Sequence, residues 1–234
     1  DGLAREDFEA NHYGHSQTGH WRGQAATLLG LSSEVKRSDF FALCDNIRPD
    51  TGDRLTPRTK DDRRVGIDFT FSAPKGVSLL YAFAGRAEIL ECFRLAVADA
   101  MMEVESDTQT RVRIGNTDKD RHTGNLVWAE FIHSTSRPVN GFSAMQLHAH
   151  CFAFNTTHDG EECRWKAAQF GEIKRNMPYY ESVFLAGLSQ RLERLGYETV
   201  ERGRSFEIKD VPEDLIRRFS PRTDVIKEYI QRKG

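Results

Sequence analysis

The stretch Gln146–Asn155, Gln-Leu-His-Ala-His-Cys-Phe-Ala-Phe-Asn, constrains the fold of this chain most strongly. Side chains of a β-strand alternate between two faces, so a strand here places His148 and His150 on the same face as Phe152 and Phe154. Residues two apart in a strand have Cα atoms about 7 Å apart, which suits two imidazoles that begin a metal site. We therefore predict a strand that carries a candidate metal-binding pair.

A second strand is predicted just before it, over 124–133, and it ends at His133. Antiparallel neighbours lie about 5 Å apart, so a hairpin can bring His133 to the face that carries His148 and His150. Three neutral imidazoles with an open fourth position describe a metal that acts as a Lewis acid, since a structural site would be closed by a fourth protein ligand. The alternative is that these are ordinary half-exposed strand residues, because a His-x-His pair alone is a weak signal.

The clearest strand pattern covers Val65–Phe71, where apolar residues alternate with Asp68 and Thr70. Aspartate is disfavoured inside strands, so Asp68 needs an explanation. It can accept the N–H of a ligand imidazole and select its tautomer, or it can act as a base. The alternative is a carboxylate that faces water from an edge strand.

A helix is predicted to follow, with Ser72 as its cap and Pro74 in its first turn. Lys75 stands beside that helix N-terminus, where a phosphate contact is natural. The polar stretch Arg48–Arg64 is rich in Arg and Lys but also contains Asp. It is either a solvated loop or a patch that contacts phosphates.

Helical spacing of apolar residues predicts two long helices, Arg86–Asp107 and Gly171–Leu195. Tyr179 and Tyr180 are adjacent in the second one. We interpret them as core and rim packing, because Tyr180 lies on the apolar stripe. A hairpin is predicted over 196–208 around Gly203.

Composition narrows the class of protein. A chain of 234 residues with 38% hydrophobic content can build a real core, and no internal repeat or Gly-rich linker divides it. Its formal charge of −2 implies that any nucleic-acid surface is a local patch. The four cysteines show no C-x-x-C spacing, so we expect reduced, mostly buried thiols. No apolar run approaches the roughly 20 residues that cross a bilayer, and we expect a cytoplasmic protein without a membrane span.

Several motifs together resemble those of MobF-type (TrwC/TraI-like) conjugative relaxases, of the HUH endonuclease class, in the same order and at similar separations. They cover nearly the whole chain: Ile67–Ser78, Thr123–Leu126, His133–Arg137, Gln146–His150, Leu195–Glu198 and Phe219–Thr223. The resemblance implies an α+β fold in which a central antiparallel, palm-like β-sheet is flanked by helices. We expect residues 1–234 to form a single relaxase domain.

The resemblance also implies an activity. Such an enzyme nicks and religates DNA at a plasmid origin of transfer, with site and strand specificity, through a 5′-phosphotyrosyl intermediate. By motif position His133, His148 and His150 are the metal ligands, and Asp68 orients a ligand or helps to deprotonate the tyrosine. The metal is divalent; Mn, Mg and Zn are all considered, although imidazole ligands favour Mg least.

Further expectations follow from the resemblance. Lys75 and Arg137 are expected to contact DNA or the site. The family's tyrosine nucleophiles would lie mostly before Asp1, so we expect the extreme N-terminus to be missing; Tyr13 alone falls within the matching zone. The resemblance also allows a helicase domain beyond Gly234. The expected partners are single-stranded DNA at the origin of transfer, relaxosome proteins and conjugative secretion proteins.

Two other readings remain open. A relaxase-like module that lacks its nucleophile would bind single-stranded or hairpin DNA without cleaving it. A cupin-type metal oxygenase would also use a His-x-His strand. A cupin requires a Glu shortly after the His-x-His pair and an all-β chain, whereas this sequence has Asn155 and several predicted helices.

Overall fold

A computed structural model describes residues 18–31, 34–57, 63–136 and 143–220. The predictions for Tyr13 and Arg137 lie outside these described residues. The strands are β1 (His20–Arg22), β2 (Gly66–Ser72), β3 (Gln109–Ile114), β4 (Thr117–His122), β5 (Trp128–Thr135), β6 (Met145–Phe154), β7 (Thr157–Asp159), β8 (Arg164–Lys166), β9 (Thr199–Arg202) and β10 (Ser205–Ile208). The helices are α1 (Gln24–Leu28), α2 (Arg37–Cys44), α3 (Lys75–Ala84), α4 (Ala87–Ser106), α5 (Phe170–Arg175), α6 (Met177–Arg194) and α7 (Glu213–Arg218).

The largest sheet has four strands in the order β1-β5-β6-β2. β1 pairs antiparallel with β5, so that His20 lies opposite Glu130 and Arg22 opposite Trp128. β5 and β6 are consecutive in the chain and adjacent in the sheet, which confirms the predicted hairpin. The predicted α+β class, with helices and an antiparallel sheet, is also confirmed.

Backbone contacts divide the chain into two compact units, and the first comprises Asp1–Thr70, Ala100–Ile132 and Ala149–Tyr180. Its core is aromatic. Phe40 of α2 is fully buried. Its ring has a centroid within 6.5 Å of those of Trp21, Phe41, Phe131, Phe152 and Phe154. The face of β6 that carries the histidines therefore continues with Phe152 and Phe154, whose rings pack in this core.

The same unit contains an antiparallel hairpin, β3–β4, that the sequence analysis did not predict. It pairs Arg111 with Asp120 and Ile114 with Thr117. Its turn uses Gly115 and Asn116, both with positive φ, at 55° and 65°. Consecutive positive φ values are the mark of a tight hairpin turn, so the Gly-Asn dipeptide was the overlooked signal.

The second unit comprises Phe71–Asp99, His133–His148 and Glu181–Gly234. Phe184 of α6 is buried there, with ring centroids 5.3 Å from Phe71 and 5.6 Å from Phe93. The hairpin predicted around Gly203 is confirmed as β9–β10.

Two local predictions were wrong. The stretch 171–195 forms two helices rather than one, with Asn176 between them. Pro178 explains the break, because proline has no N–H for the preceding turn and its ring clashes with the carbonyl four residues earlier. α3 begins at Lys75 with Pro74 as its N-cap and no side-chain cap, so Ser72 is not the cap.

Candidate active site

Asp68 of β2 and His150 of β6 form a close pair, with Asp68 Oδ2 2.6 Å from His150 Nδ1. Their side chains are 29% and 16% exposed, respectively, so the pair is only partly screened by water. The Thr70 hydroxyl supports it, 3.4 Å from Asp68 Oδ2 and 3.3 Å from His150 Nδ1. A carboxylate accepts and cannot donate, so Nδ1 carries the proton and a neutral ring keeps its lone pair on Nε2.

His148 has its tautomer selected in a different way. Its Nδ1 lies 2.9 Å from the carbonyl oxygen of Gln146 and must donate to it. The lone pair of the neutral ring is again on Nε2. In both histidines of the His-x-His pair, the Nε2 lone pair is therefore available to a metal. A different oxygen accepts the Nδ1 proton in each.

His133 of β5 lies beside His148, with ring centroids 5.2 Å apart and planes inclined by 26°. The two rings are thus stacked. Among the described residues, no three His, Cys, Asp or Glu side chains are grouped closely enough to hold one ion as they stand. The donor types and the tautomers of His148 and His150 fit a metal.

Lys75 lies at the first position of α3, and its ammonium reaches β6. Lys75 Nζ donates to the Met145 carbonyl and to Gln146 Oε1, each at 2.8 Å. The sequence pointed to the residue but not to these partners, which lie about 70 positions away. The DNA contact expected of Lys75 stays a prediction.

The tyrosines of α6 do not have the properties of a nucleophile. Tyr180 is fully buried, and burial together with the hydrogen bond to Asp107 (2.7 Å) raises its pKa. Tyr179 donates to Glu103, which also raises its pKa. A raised pKa disfavours the phenolate that a nucleophilic tyrosine must reach. The interpretation of Tyr180 as a core residue is confirmed.

A groove of about 750 Å³ in the first unit was not predicted from the sequence. Five basic residues line it, against Asp118 as the acidic one: Arg63, Arg111, Arg113, Arg164 and Lys166. Arg111 and Arg113 alternate along β3, which places them on one face, and that i, i+2 spacing was the available signal. This is a local basic patch of the kind that a net charge of −2 conceals.

Asp159 organises one side of this groove. It is 1% exposed and accepts hydrogen bonds from Lys166 Nζ at 2.8 Å and from Arg121 Nη1 at 3.0 Å. The backbone N–H groups of Glu161 and Glu162 also donate to it. Burial alone would raise the pKa of Asp159, but these donors lower it to about 2.

Two expectations from composition can be compared with the structure. Cys44, Cys92 and Cys151 are buried free thiols and Cys163 is exposed, as expected. No helix in the described part of the chain is both long and apolar enough to cross a membrane.

Comparison with known proteins gives a consistent result. A family model described as TrwC relaxase matches residues 3–234. The multifunctional conjugation protein TraI of Escherichia coli is 33% identical over 223 residues, which is 90% of this chain and 12% of that protein. The chain therefore spans only a small part of this curated relative.

Solved structures agree with this. One is the conjugative relaxase TrwC in complex with oriT DNA, metal-bound, with a TM-score of 0.89 and 33% identity, covering 100% of this chain and 80% of that one. Another is TrwC with a 27-mer DNA that comprises the recognition hairpin and the cleavage site, with a TM-score of 0.88 and 34% identity, covering 99% of this chain and 81% of that one. From the family model, the relatives and the fold together, the chain belongs to the TrwC relaxase family.

Proposed function

We propose that this chain nicks one strand of DNA at an origin of transfer and later reseals it, through a 5′-phosphotyrosyl intermediate. The observation that carries the proposal is the 2.6 Å bond between Asp68 and His150, on a strand that also presents His148. It is supported by membership of the TrwC relaxase family and by the oriT DNA in the related structures.

His133, His148 and His150 would hold a divalent metal ion, which supplies positive charge to the phosphate oxygens when bound. Asp68 keeps the proton on His150 Nδ1, and the Gln146 carbonyl does the same for His148. Because Asp68 Oδ2 is already engaged with His150, we assign Asp68 to orienting that ligand rather than to deprotonating the tyrosine.

Tyr13 is our candidate nucleophile. Its hydroxyl oxygen attacks the phosphorus and gives its proton to water. The bond from phosphorus to the 3′-oxygen breaks, and that oxygen takes a proton from water to become a 3′-hydroxyl. Resealing is the reverse transesterification. The raised pKa values of Tyr179 and Tyr180 make both poor alternatives.

The basic groove is our candidate contact for a duplex arm of the DNA. Arg111 and Arg113 are exposed on the β3–β4 hairpin, where Arg111 pairs with Asp120, itself at the surface. Phosphate neutralisation by such side chains supplies sequence-independent affinity. Arg137 is proposed as a further DNA contact. A helicase domain and relaxosome or secretion partners stay predictions.

The test uses labelled single-stranded oligonucleotides from transfer origins, incubated with Mn²⁺, Mg²⁺ or Zn²⁺. We expect a covalent protein–DNA adduct that mass spectrometry maps to Tyr13 and that disappears in Y13F and in the triple variant H133A/H148A/H150A. Full cleavage by the triple variant would contradict the metal proposal. An adduct on another tyrosine would remove Tyr13. Tight, salt-dependent binding without any adduct would support the binding-module alternative.

A further inference from the structure

Ala73 and the first turn of α3 hold the beginning of β6, through hydrogen bonds that take no direct part in the proposed reaction. Lys75 Nζ donates to the Met145 carbonyl and to Gln146 Oε1, both at 2.8 Å. Gln146 Nε2 in turn donates to the Ala73 carbonyl at 3.0 Å. Both ends of the Gln146 amide are therefore engaged, and the amide has only one orientation that satisfies them.

The main chain of β6 is also hydrogen-bonded to this part of the chain. The N–H of Ala73 donates to the Leu147 carbonyl at 2.9 Å, and the N–H of Leu147 donates to Ser78 Oγ at 3.0 Å. Ser78 is 1% exposed and donates its own hydroxyl to the Pro74 carbonyl. These bonds are shielded from water, so they restrict the strand more than surface bonds would.

Glu207 of β10 secures the start of α3. Its Oε2 accepts the N–H of Gly76 at 2.8 Å, in place of the missing side-chain cap. Burial raises the pKa of Glu207, whereas the N–H groups of Gly76 and Lys75 lower it. A Cβ at position 76 would lie closer to this carboxylate oxygen than van der Waals contact allows, so a larger residue there would displace the cap. Lys75 is thus presented from an anchored helix end.

These contacts decide where the Gln146 carbonyl points. The carbonyl of Gln146 and the N–H of Leu147 belong to one planar peptide unit, and Ser78 holds that unit. The preceding peptide unit is held through the bond from Lys75 to the Met145 carbonyl. The Gln146 carbonyl is the acceptor for His148 Nδ1, at 2.9 Å.

We propose that Lys75 is a positioning residue: it holds Gln146 so that the Gln146 carbonyl keeps His148 in the tautomer whose lone pair is on Nε2. The relevance of this to metal binding rests on the proposed function. The tautomer itself does not, because it is a property of the metal-free protein. A lysine that only contacted phosphate would leave the His148 ring unaffected.

The test compares the parent protein with K75M, which keeps most of the aliphatic stem and removes the ammonium. Proton–nitrogen correlation spectra are recorded without metal at about pH 8, well above the ordinary imidazole pKa of about 6.5. We expect His148 to be protonated at Nδ1 in the parent and to become a mixture of tautomers in K75M. Zinc affinity without DNA should fall on the order of 10-fold, as it does when other residues that orient metal ligands are replaced.

The matched control is K209M, since Lys209 is a lysine of the same unit that pairs with Glu198 at the surface. It should leave both readouts unchanged. If K75M does not fold, Q146A takes its place, because it removes the amide oxygen that Lys75 holds and should shift the tautomer in the same direction. The parent's tautomer in a folded K75M, or in Q146A if that variant is used, overturns the proposal. Failure of the parent to bind zinc would instead contradict the proposed metal function, while the tautomer still tests Lys75.

Discussion

Replacement of Asp159 by Asn should destabilise the protein in a way that depends on pH. The substitution keeps the shape of the side chain but removes its charge beside Lys166 and Arg121. A fall in pKa from 3.8 to about 2 corresponds to about 2 kcal/mol at 1.36 kcal/mol per unit. Because Asp159 is 1% exposed, solvent screening takes little away from this figure.

A second contribution comes from Lys166, whose side chain is 9% exposed. In D159N its ammonium keeps Glu162 as a carboxylate partner, so the buried charge is only partly compensated. We expect a total loss of about 2 to 4 kcal/mol in the free energy of unfolding at neutral pH.

The pH dependence follows from the direction of the shift. The folded-state pKa of Asp159 is depressed, so its contribution is complete above the unfolded value of 3.8 and is lost as the pH falls towards about 2. Urea unfolding followed by circular dichroism should show a large difference between parent and D159N at neutral pH. That difference should shrink progressively below about pH 4.

The control is D120N, because Asp120 pairs with Arg111 at the surface, at 3.5 Å and with 41% exposure. It should unfold like the parent at every pH. If D159N lost the same stability at neutral and acid pH, the loss would come from packing or backbone contacts, and the electrostatic reasoning would be refuted.

Three further predictions concern the core, the site and the groove. F40A should lower the free energy of unfolding by about 3 to 5 kcal/mol in urea titrations, because Phe40 is fully buried among aromatic rings; a loss below 1 kcal/mol would contradict this. D68N should slow single-turnover nicking about 10- to 100-fold at unchanged DNA affinity, and parent-like nicking would exclude the orienting role. In R111Q/R113Q the log–log salt slope of duplex binding should fall by about 2 units, whereas an unchanged slope would remove the groove from the interface.

The strands that carry the candidate site could be predicted from the sequence because strand alternation is a local property. It predicted the β5–β6 hairpin and the His-x-His pair, and it singled out Asp68 as an unusual strand residue. The sequence did not identify the histidine that Asp68 contacts. His150 lies 82 positions away, and only the order of strands in the sheet makes the two neighbours.

The structural features that the sequence did not predict have physical explanations as well. β4 reads Thr-Asp-Lys-Asp-Arg-His and has no apolar residue, so hydrophobic periodicity cannot find it. Its pairing with β3 depends on the turn at Gly115 and Asn116. Similarly, Ser72 looks like a cap by position, but a carboxylate 131 residues from Gly76 supplies the cap instead. A contact of that kind depends on the tertiary fold.

Two groups of cations in this chain are candidates for phosphate contacts, and their surroundings differ. The ammonium of Lys75 lies 2.8 Å from two oxygens of β6, so a phosphate would have to compete with bonds already made. Arg111 and Arg113 are exposed on β3 and line a groove, and Arg111 pairs with Asp120 only at a longer distance of 3.5 Å at the surface. Counterion release depends on charges that meet phosphates, so the salt dependence of DNA binding should come from the groove. A lysine beside a helix N-terminus therefore predicts a phosphate contact only when its ammonium is not already hydrogen-bonded to oxygens of the protein.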